Sequence, residues 1–274
     1  MVFINIFIML MQSYFVKERG MGLGDFIRGS IACKQLCDEY SIPFEMDFRH
    51  HPMGKYLNST NTTPPIPLED IVNFQDIGNM TSRILKSSLE ELGPLRNLRK
   101  YDLGIYTNVW PIFKIPRRVS CSIRNYLQPT HECEMAIQSA LEGLKDYRVI
   151  HIRAGDILSF KTQVGDVVPH TLNDIIKNLS VIEKIKAQSN IPCLVMSDSF
   201  EIKQIIAERW GIKSTPSIPA HLTLEDGNVL DTLVDFFILS RARAVYQFSV
   251  HHWGSGFSDS VNWLYNVPVV RHRL

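Results

Sequence analysis

The stretch YRVIHIRAGDILSF, residues 147–160, decides how the chain is read. It opens as an apolar, β-branched run of the kind that fills a buried strand, then stops at Arg153, Gly155 and Asp156. Side chains alternate along a strand, so His151 and Arg153 share a face. A guanidinium at a strand end is a fixed cation with a planar fork of donors, a shape suited to phosphate oxygens. Asp156 can orient Arg153, accept a proton or cap the next element. Taken alone, the motif reads equally well as a salt bridge at a strand end.

Working outward, apolar strands alternate with amphipathic helices. Downstream the pattern predicts a helix over 171–188, a strand over 191–199, helices over 200–211 and 229–242, a strand over 244–250, a helix over 256–265 and the short apolar VPVV at 267–270. Upstream it predicts a strand SYFVKERG (13–20), the glycine turn GMGLGD, a helix FIRGSIACKQLCDEY (26–40) and a strand IPFEMDF (42–48). The polar, proline-rich NSTNTTPPIP (58–67) is a loop. Beyond it come strands at 70–74 and 101–110, a helix at 80–93 and helical pattern from PRRVSC (116–121) through 131–146. Strands separated by helices of this length imply parallel sheets with helices on both faces. The expected fold is α/β, two Rossmann-like halves (1–145 and 146–274) facing across a cleft. Ligands of such sheets bind outside the carboxyl ends of the strands.

Composition narrows the partners. With 45% hydrophobic and 21% charged residues the chain can bury a core, and a net charge of +1 advertises neither nucleic acid nor an anionic membrane. Any anion site must be local. The five cysteines, Cys33, Cys37, Cys121, Cys133 and Cys193, form no C-x-x-C, so a reduced, cytoplasmic protein is expected. The apolar run Val2–Met11 is short of the ~20 residues of a spanning helix and lacks signal-peptide features. It reads as a first strand or a packed extension, without a firm membrane anchor; a weak tether is the alternative. The sequons at Asn58, Asn61, Asn79 and Asn178 read as surface polar residues.

Three further motifs sit at expected strand ends. In ERGMGLGDFIRG (18–29), Gly20, Gly22 and Gly24 allow a tight turn before a helix, but the spacing is neither the G-x-G-x-x-G dinucleotide fingerprint nor a P-loop. A Rossmann dehydrogenase is a rival that predicts NAD(P) binding, yet neither half shows the required glycine spacing with its acidic partner. Ser197-Asp198-Ser199 closes a strand and opens a helix, offering a cap or a ligand contact. Ser249 ends the strand AVYQFSV, and HHWGSGFS then turns into a helix whose N-terminus near Ser255 and Gly256 suits an anion. The adjacent His251 and His252 cannot face one ion together and have no third ligand. HECE (131–134) fails likewise, so no metal site is expected.

These residues carry a resemblance. HIRAGD, GMGLGDFIRG, SDS and DTLVDFFILSRARAVYQFSVHHWGSGFS resemble, in order and spacing, the motifs of the fucosyltransferase superfamily: the α1,2-, α1,6-, nodulation and protein O-fucosyltransferases. The likeness is strongest from Arg148 to Pro268 and patchy from Thr60 to Asp146; the length resembles compact versions in large algal viruses. The resemblance implies a GT-B architecture, a nucleotide-diphosphate sugar donor with GDP-fucose favoured, inversion, and no metal or other cofactor. By motif match Arg153 would neutralise the β-phosphate, and His151 and Asp198 would meet base or ribose. Ser255, Gly256 and Phe257 would line the diphosphate, with Ser197 and Ser249 on the same donor side, and Gly22, Gly24 and Asp25 would close from the other half. The base is left among Asp156, Asp25 and Glu18. His50 and His51 either face a glycan or glycoprotein acceptor or are surface histidines. Ala154 stands where several relatives carry a second arginine, which keeps UDP-xylose open as donor. A non-catalytic nucleotide- or carbohydrate-binding module is the rival from another class.

Overall fold

A computed structural model describes residues 10–16, 22–58, 61–74, 102–112, 114–153, 172–217 and 229–274. The chain divides into two compact units, Met1–Thr130 and His131–Leu274.

The first unit contains β1 (Met11–Tyr14), α1 (Leu23–Tyr40), β2 (Phe44–Asp47), β3 (Val72–Phe74), β4 (Leu103–Thr107) and α2 (Arg117–Tyr126). Its strands are all parallel, in the order β2-β1-β4-β3. β1 lies ahead of the strand expected at 13–20, because Gln12 and Ser13 break the apolar pattern yet are buried with partners. Gln12 Nε2 donates to Glu45 Oε2 at 3.1 Å and Thr63 Oγ1 at 2.7 Å, and Ser13 Oγ meets Ser30 Oγ at 2.8 Å. The proline-rich loop is strapped down by the same carboxylate. Glu45 accepts from Thr62 N–H, the hydroxyls of Thr62 and Thr63, and Asn61. Burial would raise its pKa, but these hydrogen bonds outweigh it and hold the carboxyl below its usual range. The expected helix at 80–93 lies outside the described residues.

The second unit contains α3 (His131–Leu141), β5 (Arg148–Arg153), α4 (Leu172–Asn178), α5 (Val181–Ala187), β6 (Cys193–Ser197), α6 (Phe200–Trp210), β7 (Lys213–Ser214), α7 (Val229–Arg241), β8 (Ala244–Ser249), α8 (Gly256–Tyr265) and β9 (Val269–Arg273). The strands are again all parallel, in the order β7-β6-β5-β8-β9. The unit begins ahead of the boundary expected after 145, because α3 packs on α7 and Glu134 takes both ends of the Arg241 guanidinium, at 2.8 and 2.6 Å. The single helix expected over 171–188 is two. Asn178 and Ser180, both poor in helix interiors, flank the break at buried Leu179.

Alternation divides the central strands. Ile150, Ile152, Val195 and Phe248 join Ile175, Ile182, Ile202 and Ile206 in one apolar cluster. The intervening His151 and Arg153 on β5, and Gln247 and Ser249 on β8, therefore point to the opposite face. Among the described residues no helix is long and apolar enough to cross a membrane.

Two glycines separate close packing from backbone strain. A Cβ on Gly29 of α1 would lie 1.8 Å from the Thr107 carbonyl oxygen of β4, whereas Gly211 ends α6 at φ +59° with nothing within 4 Å. Gly29→Ala should cost about 3 kcal/mol or more by overpacking, and Gly211→Ala about 1 kcal/mol by left-handed strain alone. Urea unfolding of the two variants checks the ranking; equal losses would contradict it.

Candidate functional site

In the second unit β5 connects outward toward β6 and β7, while β8, which follows them in the chain, lies on the other side of β5 and leads on to β9. The strand order reverses there, and the crevice at the carboxyl ends of such a pair is where open α/β sheets bind ligands. Register pairs Arg153 with Ser249 at that end. Arg153 Nη1 is 2.9 Å from Oδ2 of Asp198, which follows the neighbouring β6; the two side chains are 29% and 22% exposed. A cation, a carboxylate and a hydroxyl thus end three adjacent strands.

The turn after β8 is closed by Ser249. Its hydroxyl donates to Gly254 O at 3.1 Å and accepts from His251 N–H at 3.1 Å. Gly254 adopts φ +86°, and a Cβ there would meet Gln247 Oε1 at 2.3 Å. Ser255 then caps α8 with extended backbone but no side-chain cap bond. The first amides of this helix carry the positive end of its dipole.

Beneath this turn lies a buried polar seam. Gln247 Nε2 donates to Ser258 Oγ at 2.7 Å, Asp259 Oδ1 at 3.0 Å and Ser255 O at 3.3 Å. Ser258 Oγ is also 3.0 Å from His151 Nδ1, and Arg271 pairs with Asp259 at 3.0 Å. Burial lowers the His151 pKa to about 4, so the ring is neutral near pH 7. With Gln247 donating to Ser258, the hydroxyl hydrogen is free for Nδ1, which favours the imidazole proton on Nε2. The His151 ring is only 5% exposed and lies 5.9 Å from that of Phe257, which in turn packs on Phe236.

Of the residues singled out in the sequence, His151, Arg153, Asp198, Ser249, Ser255, Gly256 and Phe257 lie at or near the carboxyl ends of β5, β6 and β8 or in the first turn of α8. Ser197 is buried at the end of β6, its hydroxyl accepting Ser199 N–H at 3.1 Å. Asp156, Glu18 and Gly20 lie outside the described residues. In the first unit Gly22 caps α1 in extended conformation, Gly24 lies within the helix, and Asp25 pairs with Arg28 at 3.1 Å. Arg28 is itself fixed, donating to Asn108 O at 2.7 Å with its guanidinium 4.2 Å from the Trp110 ring centre. His50 Nε2 meets Ile66 O at 2.9 Å and its ring tilts against Tyr14. His51 corrects the sequence reading. It is 5% exposed, stacked on Phe15 at 4.1 Å, and its Nδ1 accepts Met53 N–H, so it serves the core rather than an acceptor or the surface.

Sequence reasoning missed a second buried cluster. Lys203 of α6 donates to Thr215 Oγ1 (3.2 Å), Ser217 O (2.7 Å) and Ser217 Oγ (3.3 Å), and Ser217 Oγ donates to Asp235 Oδ2 of α7 at 2.9 Å. Asp235 Oδ1 is buried without a hydrogen-bond partner among the described residues. Burial pushes the Asp235 carboxyl up to about 7, against the nearby Lys203 charge. The available signal was an aspartate inside the apolar run LVDFFIL and a lysine on the inward face of α6. Among the described residues no group of three or more His, Cys, Asp or Glu is arranged to hold a metal.

No family model and no curated protein matches the chain. Solved structures do. The NodZ α-1,6-fucosyltransferase soaked with GDP-fucose aligns over 96% of this chain and 94% of its own at 14% identity, TM-score 0.58. Selenomethionine fucosyltransferase NodZ from Bradyrhizobium aligns over 97% and 94% at 14% identity, TM-score 0.60. A variant of Arabidopsis thaliana FUT1 in complex with GDP aligns over 97% and 70% at 12% identity, TM-score 0.56. The chain therefore shares the α/β fold of GT-B fucosyltransferases, as its motif resemblance leads one to expect.

The two buried groups titrate with opposite signs. His151 takes a proton near 6.5 when unfolded but only near 4 when folded, so its contribution to stability falls as pH drops through that window, by about 3 kcal/mol in all. Asp235, raised from 3.8 to about 7, favours the native state at low pH and loses that contribution as pH rises toward 7. His151→Asn removes the first effect alone. The stability of wild type relative to this variant should therefore shrink from pH 7 to pH 4.5 in urea unfolding; a pH-independent difference would contradict the assignment.

Proposed function

We propose that the chain is a glycosyltransferase that moves a sugar, fucose favoured, from a nucleotide-diphosphate donor to a glycan hydroxyl. The observation that carries this reading is the convergence of Arg153 and the N-terminus of α8 at the strand-order reversal of the second unit. The diphosphate would lie there, its β-phosphate on Arg153 and its oxygens toward the amides of Gly256 and Phe257. Ser249 and the buried His151 would act beneath it by fixing the turn and the helix. The first unit is the one we assign to the acceptor, with Asp25 and His50 as its candidates.

The chemistry follows from where charge develops. The acceptor oxygen forms a bond to the anomeric carbon as the bond from that carbon to the β-phosphate oxygen breaks, with inversion. The electron pair leaves on the diphosphate, and a carboxylate, one of Asp25, Asp156 and Glu18, takes the hydroxyl proton. A guanidinium and a helix dipole already in place stabilise that growing charge without reorganisation, more in the transition state than in the ground state. In this reading they supply the charge a divalent ion would otherwise bring, so transfer should survive a chelator.

Asp235 bears on the identity of the nucleotide. Its buried Oδ1, without a hydrogen-bond partner among the described residues, can accept an N–H donor. Guanine offers adjacent N–H groups that span both oxygens of one carboxylate, while uracil offers a single N–H. This supports GDP over UDP.

Arg153→Ala should keep the wild-type fold by circular dichroism and lose transfer from GDP-fucose by at least about 100-fold, the scale seen when one such donor is removed. Thermal-shift titration with GDP, GDP-fucose, UDP and UDP-xylose in EDTA should stabilise the wild type with the guanosine ligands. A fully active Arg153→Ala protein would overturn the reading, stabilisation by the uridine ligands alone would move it to a xylosyltransferase, and silence from every nucleotide would favour a non-catalytic module.

A further inference from the structure

Large apolar side chains exposed among the described residues include Leu68, Ile112, Met135, Phe200, Trp253 and Val270. Trp253 differs from the others in how firmly it is held and in where it stands. It is 41% exposed, in the turn between β8 and α8, two residues before the Ser255 cap of the helix already assigned to the diphosphate.

The turn leaves the indole little freedom. Ser249 Oγ bonds both its ends, Gly254 N–H donates to His251 O at 3.1 Å, and Gly254 is locked at positive φ against Gln247. The buried ring of His251 lies almost parallel to the indole, with centroids 4.7 Å apart and planes at 19°. The His252 ring stands nearly perpendicular to the indole, with centroids 4.7 Å apart and planes at 81°. One face of the ring is thus backed by a buried imidazole and a second imidazole packs across it, so the exposed part of the indole is fixed before any ligand arrives. Keeping such a surface in water forgoes burial that a less constrained tryptophan would gain. A pre-positioned ring, in return, binds without losing rotamer freedom.

We infer that Trp253 is a carbohydrate-stacking platform that sets sugar specificity, receiving the apolar C–H face of a pyranose ring of the substrate. The inference deepens the glycosyltransferase reading and rests on it. The pyranose has two sources, the sugar of the donor and a sugar of the acceptor, and the same contact chemistry serves either. A nucleobase is the competing planar partner. It is disfavoured because the N–H acceptor assigned to the base, Asp235, is held by the Lys203–Ser217 cluster, whereas the β8 turn is held by Ser249.

The test compares wild type, Trp253→Ala and Trp253→Phe, all checked for an unchanged melting temperature and circular dichroism. Calorimetry with GDP and with GDP-fucose separates nucleotide from sugar. Titration of methyl fucoside, methyl xyloside and N-acetylglucosamine in saturating GDP, followed by tryptophan fluorescence, probes the sugar alone. The expected result is unchanged GDP affinity in Trp253→Ala together with about a tenfold loss for GDP-fucose if the donor sugar stacks, or for a free glycoside if the acceptor sugar does. Trp253→Phe should recover part of either loss. Equal weakening of GDP and GDP-fucose would overturn the proposal in favour of base stacking, and unchanged binding of every probe would overturn it outright. If the wild type binds no nucleotide, the glycosyltransferase reading fails on its own. The glycoside titration without GDP then still decides Trp253, by whether Trp253→Ala abolishes the fluorescence response.

Discussion

The contact on which the rest of the second unit depends is the one between His151 and Ser258, completed by Gln247. It fastens the first turn of α8 to the two central strands, β5 and β8, from below. With the Gln247 bonds to Ser255 O and Asp259 and the Ser249-closed turn, it fixes the helix N-terminus relative to Arg153, two residues further along the same strand. Inside a protein such a network is costly when any member is left unpaired and specific when all are paired. Here the neutral imidazole, the hydroxyl and the amide satisfy one another, and Asp259 extends the seam to Arg271 at the neighbouring strand.

Above the seam, charge is held locally. The chain as a whole carries a net charge of +1, so it projects no broad field toward an anionic ligand. At the strand ends of the second unit the described residues offer the Arg153 guanidinium, partly exposed and paired with a partly exposed carboxylate, and a helix N-terminus. An ion pair with that much access to water is worth little by itself. A diphosphate carries more charge and more acceptor oxygens than Asp198, so it can compete for Arg153 while Asp198 keeps the guanidinium aimed. The same economy runs through the turn. Ser249 closes it, Gly254 permits it, and Trp253 is displayed by it.

How much of this was legible in the sequence depended on whether a residue's burial matched its chemistry. β5 and α8 were readable because their apolar runs end at glycine, serine and arginine, which punctuate strands and open helices. β1 was displaced because Gln12 and Ser13 are polar yet buried, their partners Glu45, Thr63 and Ser30 being distant in sequence. The same blindness hid Lys203, Asp235 and Gln247. Each sits in an apolar run, and only the fold reveals which neighbours satisfy it and which atom is left over. His51 was misread in the opposite sense: a histidine after a strand looks exposed, but the Phe15 and Phe26 rings enclose that corner. The residues at the strand ends of the second unit were thus largely readable beforehand, while the buried residues that support them were not.

The central claim is that Arg153 faces the β-phosphate of a bound nucleotide, and the most direct measurement isolates that phosphate. Calorimetric affinities for GMP and GDP should be compared between wild type and Arg153→Ala. The account predicts that wild type binds GDP well above GMP, and that the variant loses this gain while binding GMP as before. Equal weakening for both nucleotides, or an undiminished preference for GDP in the variant, would contradict it.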